Sequence, residues 1–422
     1  MRVGIVGGGL TGLALSYYFE RQGIDSVAFE ADDSPGGVIN SGRREGTVVE
    51  YGPQRLRLTG PVEELVTALG LEDELRVADG DLPLYVYADG DLREVPMSAK
   101  GFLRTDALSV PGKLRLLGEP LTANASPDET AAEVFTRKFG KEAYENVIGP
   151  LFGGIFGSDP AEMPAKYALS GLLRLEAREG NLLVPALKRM GFEDNRSPAI
   201  VFEDGNERFP EAIYEAVSDR VHLNTPVESI RENGDGYVIE ADGTSESVDE
   251  VIVTTPADVS AEVLETFAPD AASRLRQLRY NPIAMVYLRA KAPKRGFGYQ
   301  IRKDEPYHTL GVSWNGVAFG RDDLVTAFFG GMWEPELVSE PEGRLADIAC
   351  REYEAITGHE AEFLEVERFH RGFPAHDHSW EALDGMELPE GIRLATNYTS
   401  RMGIPSRIRQ ARKLAGELAD GK

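Results

Sequence analysis

The sequence predicts an α/β protein in which a discontinuous nucleotide-binding domain carries a mostly helical insertion and a second, β-rich module. Three observations support this. A glycine-rich turn joins an apolar run to a helical pattern within the first twenty residues, apolar spacing of three and four dominates residues 61–190, and short β-branched runs with Gly-rich turns return after residue 198. The expected division is residues 1–60, 191–262 and 381–422 for the nucleotide-binding domain, 61–190 for the helical insertion and 263–380 for the β-rich substrate-binding module.

The elements follow in order. Val3 to Val6 is a short apolar strand, the glycines after it form a turn, and Leu13, Ala14, Tyr17 and Tyr18 mark a helix face. Ser26 to Phe29 is a second strand ending on Glu30, which completes a βαβ unit. "PVEELVTALGLEDEL" and "DETAAEVFTRKFGKEAYENVIGPLFGGIF" are helical by spacing, whereas the Asp-Gly turn of "PLYVYADGDLREVP" predicts a hairpin. "AIVFEDG" predicts a strand before a helix near Pro210. Several short strands are expected over 221–255, more over 280–333, then a helix near 342–357 and a strand near 363–369.

Composition narrows the class. The chain has 422 residues, 42% of them hydrophobic, enough for two or three domains with cores of their own. The 70 acidic residues against 45 basic ones give a net charge of −25, spread along the whole chain, which argues against nucleic-acid partners. Together with 34 Arg against 11 Lys, this resembles cytosolic proteins of organisms that hold molar salt, where a Debye length of about 3 Å screens the self-repulsion. The single Cys350 forms no internal disulfide and is expected to be buried in a reduced, cytoplasmic protein. The most apolar stretch near the start, residues 3–19, is interrupted by five glycines, so neither a transmembrane segment nor a signal peptide is expected. The sequence leaves the oligomeric state open, a homo-oligomer included.

Gly7, Gly9 and Gly12 fit G-x-G-x-x-G: one glycine makes the turn, one lets the backbone approach a pyrophosphate, and one permits close helix-on-strand packing. Gly8, Leu10 and Thr11 complete the phosphate-binding helix start. Glu30, followed by Ala31, closes the second strand 18 residues after Gly12, where a carboxylate accepts hydrogen bonds from a ribose diol and disfavours a 2′-phosphate. Gly36 and Gly37, before Val38, let the backbone crowd the same cofactor, a spacing that looks like FAD enzymes more than NAD dehydrogenases.

With these residues in place the chain resembles the flavin amine-oxidoreductase superfamily, and within it the protoporphyrinogen and coproporphyrinogen oxidases. "EADDSPGGVINS" is similar to the family's Glu, five residues, Gly-Gly segment, and "VVEYGPQRL" to the stretch that places Gly52, Pro53, Gln54 and Arg55 near the flavin. "VHLNTPVESI" resembles the returning FAD segment, with Val227 meeting the adenine through its backbone. "GKLRLLGEPL", "AAEVFTRKFGKEAYENVIGPLFGGIFGSDPAEM" and "TLGVSWNGVAF" look specifically like porphyrinogen oxidases. The resemblance implies oxidation of a porphyrinogen to a porphyrin in haem biosynthesis: hydride leaves a ring-bridging carbon for flavin N5, and oxygen or another acceptor reoxidises the flavin. It implies that little is needed from protein acids and bases, and the catalytic residues stay unassigned.

The chain departs from that pattern in four places. The neighbourhood where relatives carry a propionate-holding Arg or Lys is Asp81-Leu82, and their "IPQY" corresponds to "FPAH", Phe373 to His376. Thr396 and Arg401 stand where the family has loop glycines. Arg401 and His376 are therefore the expected substrate-binding residues. Rival readings on the same scaffold are an amine oxidase, a carotenoid-desaturase-like enzyme, and a flavin- or porphyrin-binding relative without turnover. The first is disfavoured because Asn281 to Ala290 lacks the lysine such enzymes place there.

His370, His376 and His378 have no reliably spaced third ligand, so no metal is expected. Phe152, Ile155, Phe156, Trp314 and Trp333 are expected to be core residues. In the last helix, Pro405 suits a first turn, Met402, Gly403 and Ile404 are expected against the flavin, and Arg407, Arg409 and Arg412 are expected to be solvated.

Overall fold

The computed structural model describes every residue except 81, 192–196 and 422, with backbone alone for 99 and 189–191. The chain forms two compact units, one from 1–77, 197–278 and 381–422, the other from 78–196 and 279–380. The second unit takes most of the expected helical insertion, from 78 on, and of the expected β-rich module, 279–380, and the hairpin inside the insertion joins the module's sheet.

The first unit is organised on a five-stranded parallel sheet, in the order Val221–His222, Asp25–Phe29, Arg2–Val6, Glu250–Val253, Ile392–Leu394. Helix Leu10–Arg21 buries Leu13, Ala14 and Tyr17 against the closing helix, Ile404–Asp420, and against Arg208–Val217. Strands buried on both faces read as continuous apolar runs, which is why Val3 to Val6 and Val251 to Val253 show no alternation. An antiparallel meander, Val227–Asn233, Gly236–Ala241 and Thr244–Val248, closes on the sheet where Gly4 leaves no room for a side chain beside Ile239.

In the second unit a seven-stranded sheet runs Ala361–Pro374, Tyr280–Ala290, Leu324–Gly330, Gly311–Ser313, Gly298–Ile301, Leu84–Ala88, Asp91–Glu94. Strand period two sorts its faces. Tyr85 and Tyr87 join Trp314, Phe329 and the buried side of helix Glu342–Thr357, while Val86 and Ala88 point to the helical segment and meet Ala143 and Val147. Cys350 is half-buried on that helix, and burial pushes its thiol up. Trp314 is core, as expected. Phe152 and Phe156 pack beside Phe135 and Met163, whereas Ile155 is exposed.

Around Tyr144–Ile148 the backbone widens to a π turn before helix Gly149–Phe156. Pro150 explains it: its ring offers no N–H to the carbonyl four residues back, so the ladder slips by one residue. The helices are locked by a buried cluster. Lys138, on Ala131–Phe139, is fully buried between Glu119 at 2.7 Å and Glu176. The Glu119 carboxylate accepts from the N–H groups of Leu182 and Leu183, and Glu176 from that of Ala125 at 2.7 Å. Among the described residues no helix is long and apolar enough to cross a membrane.

Candidate functional site

The carboxyl ends of the parallel strands gather the glycines singled out in the sequence. Ligands of such sheets bind at that edge, because the loops there diverge and helix N-termini point into the gap. Gly7 turns the chain at φ +105°, a conformation costly for any side chain, and the Thr254 hydroxyl holds the turn by donating to the carbonyls of Val6 at 2.9 Å and Gly7 at 3.1 Å. A Cβ on Gly12 would lie 1.9 Å from the Gly7 carbonyl oxygen, so only glycine lets the helix start so close to the strand. Beside Gly9 there is open space to 4 Å. No side chain caps the helix, and its first turn, Leu10, Thr11 and Gly12, precedes the first bond, from Leu13 N–H to Gly9.

Glu30 closes the neighbouring strand beside this turn. Its carboxylate accepts from the N–H of Gly8 at 2.6 Å and of Asp32 at 3.0 Å, which fixes its position and leaves lone pairs for a diol. Gly36 donates its N–H to the Gly8 carbonyl at 3.0 Å and bridges Gly9, and Gly37 packs on Gly9, so the two glycine segments form one cradle. Ala31 and Val38 are exposed at its rim. The returning segment reaches the same end, with Glu30 N–H bonded to His222 and Thr225 N–H to Glu30; Val227, half-buried, starts the next strand.

A second loop, Gly52 to Arg55, is braced by residues that sequence reading passed over: Glu50, Ser41 and Asn206. Gly52 crosses the Val38 carbonyl so closely that a Cβ would sit 1.9 Å from it. Glu50, almost fully buried, accepts from Ser41 Oγ at 2.6 Å and Asn206 N–H at 2.9 Å, and Asn206 Nδ2 donates to the Pro53 carbonyl at 2.8 Å. Gln54 turns its amide inward to the carbonyls of Glu50 and Gly52, so it shapes the loop. Burial, with the nearby Arg57, pulls the pKa of the half-buried Arg55 guanidinium down to about 10. The one legible signal for Glu50 was an acid closing the β-branched run Thr47 to Val49.

The last candidate segment follows strand Ile392–Leu394 at the same edge. Met402 is half-buried, Gly403 exposed, and Ile404 joins the helix core. Thr396 and Arg401 keep ordinary negative φ, so neither position requires glycine; Thr396 is buried and paired with Thr399. Arg401 is exposed, Arg409 is exposed, and Arg412 pairs with Glu64. Arg407 corrects the expectation of solvation: it is only 6% exposed.

The other expected substrate residue, His376, lies in the second unit. It is buried, with its ring stacked on Trp380 at 4.4 Å and edge-on to Phe156, and Nδ1 bonded to the Pro374 carbonyl at 2.8 Å. That arrangement holds a left-handed turn, φ +53°. Asp377 is spent on Arg279 at 2.6 Å and on the N–H of Ser379. Burial lowers the imidazole pKa and favours its neutral form, whereas a solvated imidazole in the unfolded chain takes up its proton near an ordinary pH of about 6.5. The stability tied to His376 is therefore complete above that pH and lost as pH falls through it. His376→Asn, which tolerates the turn, is expected to lose less stability between pH 7.5 and 5.5 than the parent in urea titrations; equal losses would refute this.

The same unit holds a groove of about 950 Å³ between the π turn and the loop after strand Gly298–Ile301. Tyr144, Pro150, Ile301, Leu310 and Trp333 give it apolar walls. Arg302 at its edge is engaged by Asp89, Asp304 and Glu305, and Lys303 by Asp159. Asp81 lies outside the described residues, and the neighbouring Leu82 is buried.

The cradle fits FAD: it offers an uncapped helix start, clear space at Gly9, and a fixed carboxylate that could accept from a ribose diol. The chain is 25% identical to protoporphyrinogen oxidase 2 of Arabidopsis thaliana, covering 98% of this chain and 93% of the relative. It is 28% identical to human protoporphyrinogen oxidase over 78% of this chain and 77% of the relative. A solved structure from Exiguobacterium sp., provisionally assigned as a protoporphyrinogen oxidase, superposes with TM-score 0.80 over 100% of this chain and 99% of its own at 22% identity, a likeness of fold. Residues 10–418 match the family of flavin containing amine oxidoreductases, and with that match and this cradle the chain belongs to that family as an FAD-dependent oxidoreductase.

Proposed function

We propose that this enzyme oxidises a porphyrinogen, protoporphyrinogen IX or coproporphyrinogen III, to the porphyrin. The observation that carries the proposal is the similarity to protoporphyrinogen oxidases over nearly the whole chain, helical segment included. Strand Tyr280–Ala290 supports it by offering no lysine, the residue expected there of an amine oxidase. FAD, when bound, supplies the hydride acceptor. The protein's part is then to bind, orient and keep water from a large apolar ring, which needs apolar walls and a few cations for carboxylate arms. Exposed Arg401 is the proposed propionate contact.

The test is anaerobic: FAD-loaded protein is mixed with each porphyrinogen, with phytoene and with a simple amine, and the flavin absorbance is followed. Bleaching by a porphyrinogen alone is the expected result; bleaching only by phytoene or the amine, or by none while FAD is bound, would overturn it. Arg401→Gly is expected to raise KM for the porphyrinogen and leave bound FAD unchanged. An unaltered KM would remove Arg401 from the site.

A further inference from the structure

Arg407 is a buried cation whose charge no carboxylate balances among the described residues. It lies in the first turn of the closing helix, Ile404–Asp420, at 6% exposure. Helical side chains lean toward the N-terminus, so its guanidinium folds back over the helix start. There Nε donates to the Arg401 carbonyl at 3.1 Å and Nη2 to Ser400 Oγ. Nη1 is buried without a hydrogen-bond partner, and among the described residues no carboxylate pairs with the group. The helix start carries no side-chain cap and no acid in its first turn. An uncompensated buried guanidinium next to the positive end of a 17-residue helix is unfavourable unless negative charge arrives.

Strand order shows which part of the cofactor can bring that charge. Glu30, at the end of Asp25–Phe29, would take the adenosine ribose, and Gly7 to Gly12, at the next strand, would take the pyrophosphate. The rest of FAD would then extend on the side away from Glu30, past the end of Glu250–Val253 and toward that of Ile392–Leu394. Two strand spacings are roughly 10 Å, within reach of a ribityl chain and its ring. The loop met there is 395–403, the one Arg407 ties down.

We infer that Arg407 is a positioning and charge-balancing residue for the flavin ring: it holds the Ser400–Arg401 loop and favours the reduced flavin, whose negative charge collects at N1 and the C2 carbonyl. The inference rests on FAD as cofactor and is independent of the porphyrinogen proposal, because its readouts need no substrate.

Its test is a sulfite titration of FAD-loaded protein, with the midpoint potential measured alongside. Sulfite donates its lone pair to flavin N5 and leaves one negative charge over N1 and the C2 carbonyl, so its affinity reports the charge environment there. Arg407→Gln is expected to weaken sulfite binding at least tenfold and to lower the midpoint potential, by about 30 mV for each tenfold change in a two-electron couple. Arg407→Lys, which keeps the charge and loses the planar fork, is expected to stay within threefold of the parent. Unchanged sulfite affinity and potential in a flavin-loaded Gln variant would overturn the inference. If the Gln variant does not retain FAD, the Lys variant decides: a parental potential supports the role of charge, and a tenfold loss of sulfite affinity reduces Arg407 to a loop tie. A parent protein that fails to bind FAD would instead refute the cofactor assignment.

Discussion

Lys138→Met is expected to destabilise the second unit by about 3–5 kcal/mol, the range for removing one partner from a buried ion pair. The lysine is fully buried and stands between Glu119 and Glu176, which are equally buried. Without it, two carboxylates face each other in a low-dielectric interior. Their hydrogen bonds also hold Leu182, Leu183 and Ala125, so the loss spreads through the helical segment. Methionine matches the aliphatic stem and isolates the charge. Urea unfolding should show the lowered midpoint, and adding Glu176→Gln to the variant should restore part of it by removing one stranded charge. A single variant as stable as the parent would show that the cluster contributes specificity alone.

Gly12→Ala is expected to abolish flavin retention, with FAD affinity at least a hundredfold weaker, about 3 kcal/mol. The added methyl would stand 1.9 Å from the Gly7 carbonyl oxygen, so the helix start or the turn must retreat by more than an ångström. Either movement withdraws the first-turn N–H groups from the pyrophosphate and shifts the Glu30 anchor through Gly8. Gly9→Ala is the informative companion. Nothing lies within 4 Å of its Cβ, so the fold should be unaffected while the methyl intrudes on the space the cofactor would occupy. Flavin-to-protein ratios after purification, with thermal melts of the apoproteins, separate the two effects. If Gly12→Ala copurifies with full flavin, the close packing of helix on strand is not what positions the phosphates.

The buried triad shows why some of this was invisible in the linear sequence. Glu119, Lys138 and Glu176 are separated by 19 and 38 positions and look like surface charges on amphipathic helices. Only the packing of those helices removes them from water. Arg407 misled in the same way: one of four arginines in a 12-residue stretch looks solvated, and its burial depends on the helix rotation set by Ile404, Ile408 and Ala411. His376 sits in a polar-looking His-Asp-His run, yet Trp380 and Phe156, the latter 220 residues away in the chain, enclose it.

What the sequence determined by itself was local. The G-x-G-x-x-G turn, the acid at the second strand's end and the paired glycines after it are short-range demands of backbone sterics, so residue type at fixed spacing suffices to reveal them. The βαβ start, the hairpin at Asp89-Gly90 and the long helix Glu342–Thr357 are legible for the same reason: periodicity and turn chemistry act over a few residues. The tertiary structure alone decided which distant segments share a unit, which carboxylate braces the Pro53 loop, and which charges lie buried. Those outcomes depend on contacts between residues tens to hundreds of positions apart, where the cost of desolvation is set by the neighbours that packing supplies.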